Sequence, residues 1–216
     1  MKTKLIIYAL AAALTVVNGT RAQSPAGYAV PVNPDDFIRA ESDHYFGNVV
    51  KDGGFGKFTH NRELTPIDKQ LVVRSNRDTL NSGAVFDLDA GPVTITLPNA
   101  GKHFMSMQVI DEEMYTPQVI YDAGSYTFTR EQIGTRYVLL GVRILVDPAN
   151  PDDVKRVHNL QDAIKVEQKS SGKYEVPNFD SVSQTKVRDA LLGWARPSPI
   201  QNACSAAGAR STRSAT

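Results

Sequence analysis

Cysteine is nearly missing from this chain: Cys204 is the only one in 216 residues. No intramolecular disulfide can form, so stability must come from packing, and thiol catalysis is left without support. A surplus of one charge is missing too. Lys plus Arg total 24 against 23 for Asp plus Glu, so no overall field draws nucleic acid or anionic lipid, and small-molecule or protein partners fit better. The common chemical motifs are also lacking. There is no Gly-x-Ser-x-Gly elbow, no His-Glu-x-x-His pair, no phosphate loop and no Cys/His metal spacing. Gly53-Gly54-Phe55-Gly56 is rich in glycine, but it follows a helical pattern instead of joining a strand to a helix, so it reads as a turn. The histidines His44, His60, His103 and His158 lack ligand-like spacing, and surface or capping roles outweigh a zinc site built from His44, His60 and a carboxylate. Asp111-Glu112-Glu113 offers oxygen ligands, yet a solvated acidic turn is the better reading because a hard-cation site needs more of them. No metal and no cofactor is expected.

What is present begins with a leader. Met1-Lys2-Thr3-Lys4 is positively charged, Leu5 to Val17 carries no charge, and Thr20-Arg21-Ala22 places small residues three and one positions before Gln23. This is the order of a secretory signal peptide, with cleavage expected after Ala22. The apolar run is shorter than the roughly 20 residues a spanning helix needs. No membrane span is therefore expected after cleavage, and the product is expected to be periplasmic or secreted.

Residues 23–32 read as a flexible leader rich in Pro, Gly and Ala. Asn33-Pro34-Asp35-Asp36 then carries a helix cap, a proline at the first helical position and two acids at the positive pole. Phe37, Ala40, Tyr45 and Val49 form the expected stripe, and Gly53-Gly54 the stop. The same start recurs at Asn150-Pro151-Asp152-Asp153, with Val154, Val157, Leu160 and Ile164 predicting a helix to about Gln168. A third helix is predicted after Asp180.

Between the first two helices the period is that of strands. Val93, Ile95 and Leu97 alternate with threonines, and Tyr126 and Phe128 alternate with Ser125, Thr127 and Thr129. Val138, Leu140, Val142, Ile144 and Val146 mark a central strand. Further strands are expected at Leu71 to Arg74, Ala84 to Leu88, Phe104 to Ile110 and Thr116 to Tyr121, with turns at Asp89-Ala90-Gly91, Asn99-Ala100-Gly101 and Asp122-Ala123-Gly124. The predicted class is α+β: an antiparallel β-meander or sandwich-like sheet with flanking helices.

One polar segment interrupts this pattern. Arg74-Ser75-Asn76-Arg77-Asp78-Thr79 sets two guanidinium groups, an amide, a carboxylate and hydroxyls between apolar strands. Arg74, Asn76, Arg77 and Asp78, with Arg143 on the face of the central strand opposite the five aliphatics, beside Tyr137, Leu139 and Leu145, are the candidate ligand-binding residues, suited to a small polar or anionic ligand. The competing reading is a structural network in which Asp78 and an arginine satisfy each other. No catalytic residue can be nominated.

Asn33 to Asp43, Gly53 to Phe58, His60-Asn61-Arg62-Glu63, Asn76-Arg77-Asp78-Thr79-Leu80, Phe86 to Val93, Ser106-Met107-Gln108 and Asp162-Ala163-Ile164 together resemble the exported bacterial proteins of the DUF1254 family, a domain of unknown function. The resemblance spans Val32 to Leu192. It implies a second, β-sandwich half (DUF1214), and for some members a hydrolase or carboxylesterase label. Asn81 stands where the family commonly has tyrosine.

The expected organisation is a signal peptide at 1–22, a leader at 23–32, the α+β domain at 33–192 and an aberrant tail at 193–216. Ala, Ser, Arg and Thr dominate that tail, as in GC-rich DNA read out of frame. Permitted codons for Gly193 to Thr216, shifted by two bases, can spell the family's continuation. A frameshift near Leu192 that removes the second half is therefore expected, leaving an apolar surface prone to association. Two functions follow: a hydrolase of small polar substrates, or a non-enzymatic envelope protein that binds a ligand or assembles with its own copies. The leader is checked by the first residue of the exported product, expected at Gln23; a start far from it would contradict the export reading.

Overall fold

The computed structural model describes residues 29–66, 68 and 76–195. Residues 1–28, the strand expected at Leu71 to Arg74 and the segment after Ala195 lie outside the described residues; the end of the expected flexible leader is held, since Val30 bridges Phe179 and Val32 is buried. In chain order the elements are α1 (Phe37–Lys51), β1 (Thr59–His60), β2 (Thr79–Asp87), β3 (Val93–Leu97), β4 (Met105–Asp111), β5 (Gln118–Ile120) and β6 (Gly124–Phe128). They continue with α2 (Arg130–Ile133), β7 (Tyr137–Leu145), α3 (Pro151–Asp162), β8 (Lys165–Glu167) and α4 (Ser181–Ala195).

The alternation of β7 dictates the layering. Val138, Leu140, Val142 and Ile144, followed by Val146, are each no more than 5% exposed, and a pleated strand puts all of them on one face. That face needs a dry partner, which a second sheet supplies. A five-stranded sheet of order β1-β2-β7-β4-β5 packs on a three-stranded sheet of order β6-β3-β8. Val93, Ile95, Leu97 and Phe128 from the smaller sheet meet Leu80, Ala84, Phe86, Met105, Met107 and Val109 from the larger in one core. The named strand pairs are antiparallel. The α+β, sandwich-like class is as the sequence predicts.

The connectivity is less simple than a meander. β7 enters between β2 and β4, so the most aliphatic strand takes the position with a neighbour on both edges. The β3–β6 pair, registered Val93↔Phe128 through Leu97↔Gly124, leaves to build the second sheet.

Two helix boundaries also differ from expectation. α1 starts at Phe37, after a turn in which Asn33 Oδ1 accepts the Asp35 and Asp36 N–H groups at 2.8 and 3.2 Å. It buries Ala40, Ser42, Asp43 and Phe46, while Tyr45, expected inside, is 53% exposed. α3 begins as predicted, with Asn150 Oδ1 accepting from Asp152 and Asp153 N–H and Pro151 first in the helix. It stops at Asp162 and not near Gln168, because Ile164 and Val166 alternate with Lys165 and Glu167. Strand pairing of Val166 with Ile95 at the open edge of β3 wins over another helical turn. α4 follows Asp180, whose carboxylate accepts from Ser183 N–H at 2.8 Å.

Gln161 locks α3 to the large sheet. It is fully buried, and its Nε2 lies 3.2 Å from each of Asn61 O, Asn81 O and Ser82 Oγ, while its Oε1 accepts from Arg62 Nη1 at 3.2 Å. A polar side chain in that place tolerates no apolar substitute, since its partners would be left buried without bonds. Gln161→Leu is expected to destabilise the fold by about 2–3 kcal/mol, read from the urea midpoint. An unchanged midpoint would remove Gln161 from this role.

Candidate functional site

The core-opposite face of the large sheet carries the candidate site. Register sets its rows: Asp87 beside Tyr137, then Val85-Leu139-Ile110, Gly83-Gly141-Gln108, Asn81-Arg143-Ser106 and finally Thr79-Leu145. Phe104 O accepts from Leu145 N–H at 2.9 Å and so extends the last row.

The first rows are covered. Phe46 of α1, Val85 and Tyr137 form a second buried cluster, with Val49, Phe55, Leu139 and Tyr174 packed on it. The cover is fastened by charge. Arg39 Nη1 donates to Glu112 Oε1 at 2.9 Å, Arg39 also pairs with Glu113, and Glu112 Oε2 accepts from Tyr137 N–H at 2.9 Å. Burial pulls the Arg39 guanidinium down, but the hydrogen bond to Glu113 and the negative charges of Glu112, Glu113 and Asp43 outweigh it and raise it. Tyr174 is pushed far up, first by burial and then by Asp43 and Glu112. It therefore stays a phenol and donates to Asp43 O at 2.8 Å. At the same end Asp87 accepts from Arg136 Nη2 at 2.9 Å and from Lys173 N–H at 3.3 Å. These bonds with Arg136 and the backbone bring Asp87 below the usual carboxylate range although burial opposes them. Gly172 makes the close approach feasible: at φ +67° a Cβ would meet Asp87 Oδ2 at 2.5 Å.

The cover ends at the glycine row. A Cβ on Gly83 would touch Val49 of α1 at 3.5 Å, whereas one on Gly141 would meet nothing within 4 Å. From that row onward Arg143 and Leu145 are exposed, Asn81, Ser106 and Gln108 are half-buried and Thr79 is buried. The side chain of Arg143 has no hydrogen bond or ion pair among the described residues. Asn81 and Ser106 flank it, and Gln108 donates to Thr116 Oγ1 at 2.9 Å. Apolar groups edge this polar strip: Phe104, Tyr121 and Leu145 are 52%, 58% and 46% exposed, with the two rings 5.8 Å apart.

The residues nominated from sequence divide accordingly. Arg74 lies outside the described residues. Asn76 Oδ1 accepts from Asp78 N–H at 2.8 Å, and Asp78 O accepts from Val146 N–H at 3.0 Å, so both shape the entry to β2. Arg77 is half-buried, and its Nε is buried with no hydrogen bond among the described residues. It precedes Thr79, two rows from Arg143. At about 7 Å per same-face step, the Arg77 backbone stands well outside direct pairing distance of the Arg143 row. Asn81, Ser106 and Gln108 were not nominated, although their strand alternation opposite buried Leu80, Met105 and Met107 marks the face they occupy.

Two other polar clusters are built differently. His60 Nδ1 lies 2.8 Å from Ser82 Oγ, and burial, then the charge of Arg62, lowers the imidazole against a weaker opposing pull from Asp162. A neutral histidine beside a hydroxyl has the polarity of a nucleophile–base pair. Ser82, however, is 3% exposed and held by Gln161 on the core face. Asp111-Glu112-Glu113 is engaged by Arg39, by Tyr137 N–H and by its own turn. His44 and His60 stand on separate elements, and no metal-holding group of His, Cys, Asp and Glu occurs among the described residues. A cleft of about 350 Å3 between α1 and residues 174–179 includes Asp43 in its wall, but both carboxylate oxygens of Asp43 are out of solvent reach and engaged within the protein.

Comparison with known proteins finds a family match for part of the chain, ending before β7. Residues 55–125 match the family described as "Protein of unknown function (DUF1254)". No curated protein matches the chain. Among solved structures, the VPA0106 protein from Vibrio parahaemolyticus aligns at 16% identity with a TM-score of 0.48, over 68% of this chain and 40% of that one. This chain thus spans less than half the length of that protein.

Proposed function

We propose, starting from the match of residues 55–125 to the DUF1254 family, that the chain is an exported binding module and not a hydrolase. Its outer sheet face takes an anionic group on Arg143. The observation that carries this reading is an exposed arginine side chain without a partner among the described residues, set between Asn81 and Ser106 past the end of the α1 cover. A guanidinium in that setting offers forked donors to a carboxylate or phosphate, and the neighbouring amide and hydroxyl add neutral hydrogen-bonding groups. Phe104, Tyr121 and Leu145 supply apolar contact for the rest of the ligand.

The hydrolase reading came with the family resemblance; among the described residues the imidazole–hydroxyl pair that could serve it is His60 with Ser82. For attack, a hydroxyl must reach a carbonyl carbon, and Ser82 is shut in the core face beneath Gln161. Its contacts are those of a structural bond between α3 and β2.

The test uses benzoate and phenyl phosphate as probes, followed by amide chemical shifts, together with an ester panel. Shifts centred on Gly141, Arg143 and Ser106 are expected, lost in Arg143→Ala, with no ester turnover. Removing a charge-assisted contact is expected to weaken probe binding about tenfold or more. Shifts that persist in Arg143→Ala would overturn the assignment of the site, and ester hydrolysis abolished by Ser82→Ala would overturn the non-enzymatic reading.

A further inference from the structure

α1 turns one face toward the chain of residues 174–179, and the two do not close on each other. Ala40, Gly47 and Lys51 recur on that face at i, i+7 and i+11, and the first two are too small to fill the gap. Each wall is pinned by bonds of its own. Tyr174 donates to Asp43 O at 2.8 Å and Glu175 N–H to Tyr137 Oη at 2.8 Å, while Val30 N–H donates to Asn178 O at 2.7 Å and Val30 O accepts from Asp180 N–H at 2.8 Å. The cleft of about 350 Å3 between the walls is therefore built before any ligand arrives. It falls in the lower part of the roughly 300–1,000 Å3 range of small-molecule sites.

The chemistry of the cleft is uneven along its length. Val50, Val176, Pro177 and Phe179 give it apolar walls, and the Glu175 carboxylate turns toward Arg136, 3.9 Å away. At one end Gln184 Nε2 is committed to Glu41 Oε1 at 2.6 Å, and His44 on the rim lies 3.4 Å from Asn48 Nδ2. Asp43 stands behind the wall there, with a negative charge felt by Arg39 and Tyr174. The other end carries Lys51, exposed and without a hydrogen bond or ion pair from its side chain among the described residues. Asp43 and Lys51 stand eight residues apart on α1, about 12 Å along the helix. An elongated ligand is thereby sorted end from end: an anionic head is repelled near Asp43 and attracted at Lys51, and the stretch between them favours hydrocarbon.

We propose that this cleft is a binding site for a linear aliphatic carboxylic acid of medium chain length, with its carboxylate on Lys51 and its alkyl chain along Gly47 between Val50, Val176 and Phe179. The site shares no residue with the Arg143 rows and stands whether or not those rows bind an anion.

Octanoate is the probe, with octanol as its uncharged counterpart, each titrated into the full chain by calorimetry and followed by amide chemical shifts. Saturable binding of octanoate with shifts at Gly47, Lys51 and Val176 is expected. Binding about tenfold weaker is expected for octanol, and for octanoate with Lys51→Gln, the effect of losing one charge-assisted hydrogen bond. Gly47→Leu fills the cleft: a Cβ at Gly47 meets only Tyr174 within 4 Å, at 3.8 Å, and leucine is the better helix former. That variant is expected to keep its circular dichroism and to lose octanoate binding. Shifts at Lys51 and Val176 that persist in Gly47→Leu would overturn the proposal, as would the absence of saturable binding. Octanol bound as tightly as octanoate, or an unchanged affinity in Lys51→Gln, would overturn the placement of the carboxylate. Shifts confined to the Arg143 rows would put octanoate on the other face and overturn the cleft as its site.

Discussion

A β-sheet has two faces, and a strand that is aliphatic on one of them commits the fold to covering that one first. In this protein the commitment is made by β7. Four aliphatic side chains on its inner face, with Val146 just beyond the strand, draw the β3–β6–β8 sheet over them, and at about 25 cal/mol per Å2 of buried apolar surface this layer dominates the stability. The outer face receives what is left. One helix, α1, and the chain around Tyr174 reach across it only as far as the glycine row, held there by the Arg39–Glu112–Tyr137 clamp and by Asp87 with Arg136. Buried ion pairs of this kind are poor sources of net stability, but losing one partner leaves an uncompensated charge, so they fix position well. The clamp thereby decides where the cover stops and where the Arg143 rows begin.

That division explains why the polar groups have unequal chemistry. Those beneath the cover are consumed by each other. Tyr174 and Tyr137 are raised by burial and neighbouring negative charge and serve as hydrogen-bond donors; on the opposite, core face Ser82 and Gln161 pin a helix to a strand. Arg143, past the edge of the cover, has donors to spare. The proposed binding role for the Arg143 rows rests on where α1 ends.

Much of the fold was legible in the sequence because its signals are local. The alternation of Val138 to Val146, the threonine-spaced Val93, Ile95 and Leu97, and the Asn150-Pro151 cap each depend on neighbours a few residues away, and each is found where the pattern puts it. What could not be read depended on partners far along the chain. Lys165 to Glu167 continues a helical pattern until β3 offers an edge, and Tyr45 gives way to Phe46 because the covering face is set by Val85 and Tyr137. The candidate site was legible in part for the same reason. Arg143 announces itself as an arginine on the wrong side of an aliphatic strand. Asn81 and Ser106 join it only through the placement of β7 between β2 and β4, a pairing that no local spacing encodes.

The central claim is that Arg143 is held ready for something outside the chain and does nothing for the fold. Equilibrium urea unfolding of Arg143→Leu tests it most directly. An exposed side chain without partners among the described residues is predicted to be replaceable at a cost within about 0.5 kcal/mol, as at other exposed positions, or even with a gain. A loss above roughly 1.5 kcal/mol, the scale of a broken hydrogen bond to a charged group, would show that Arg143 belongs to the architecture and would contradict the account.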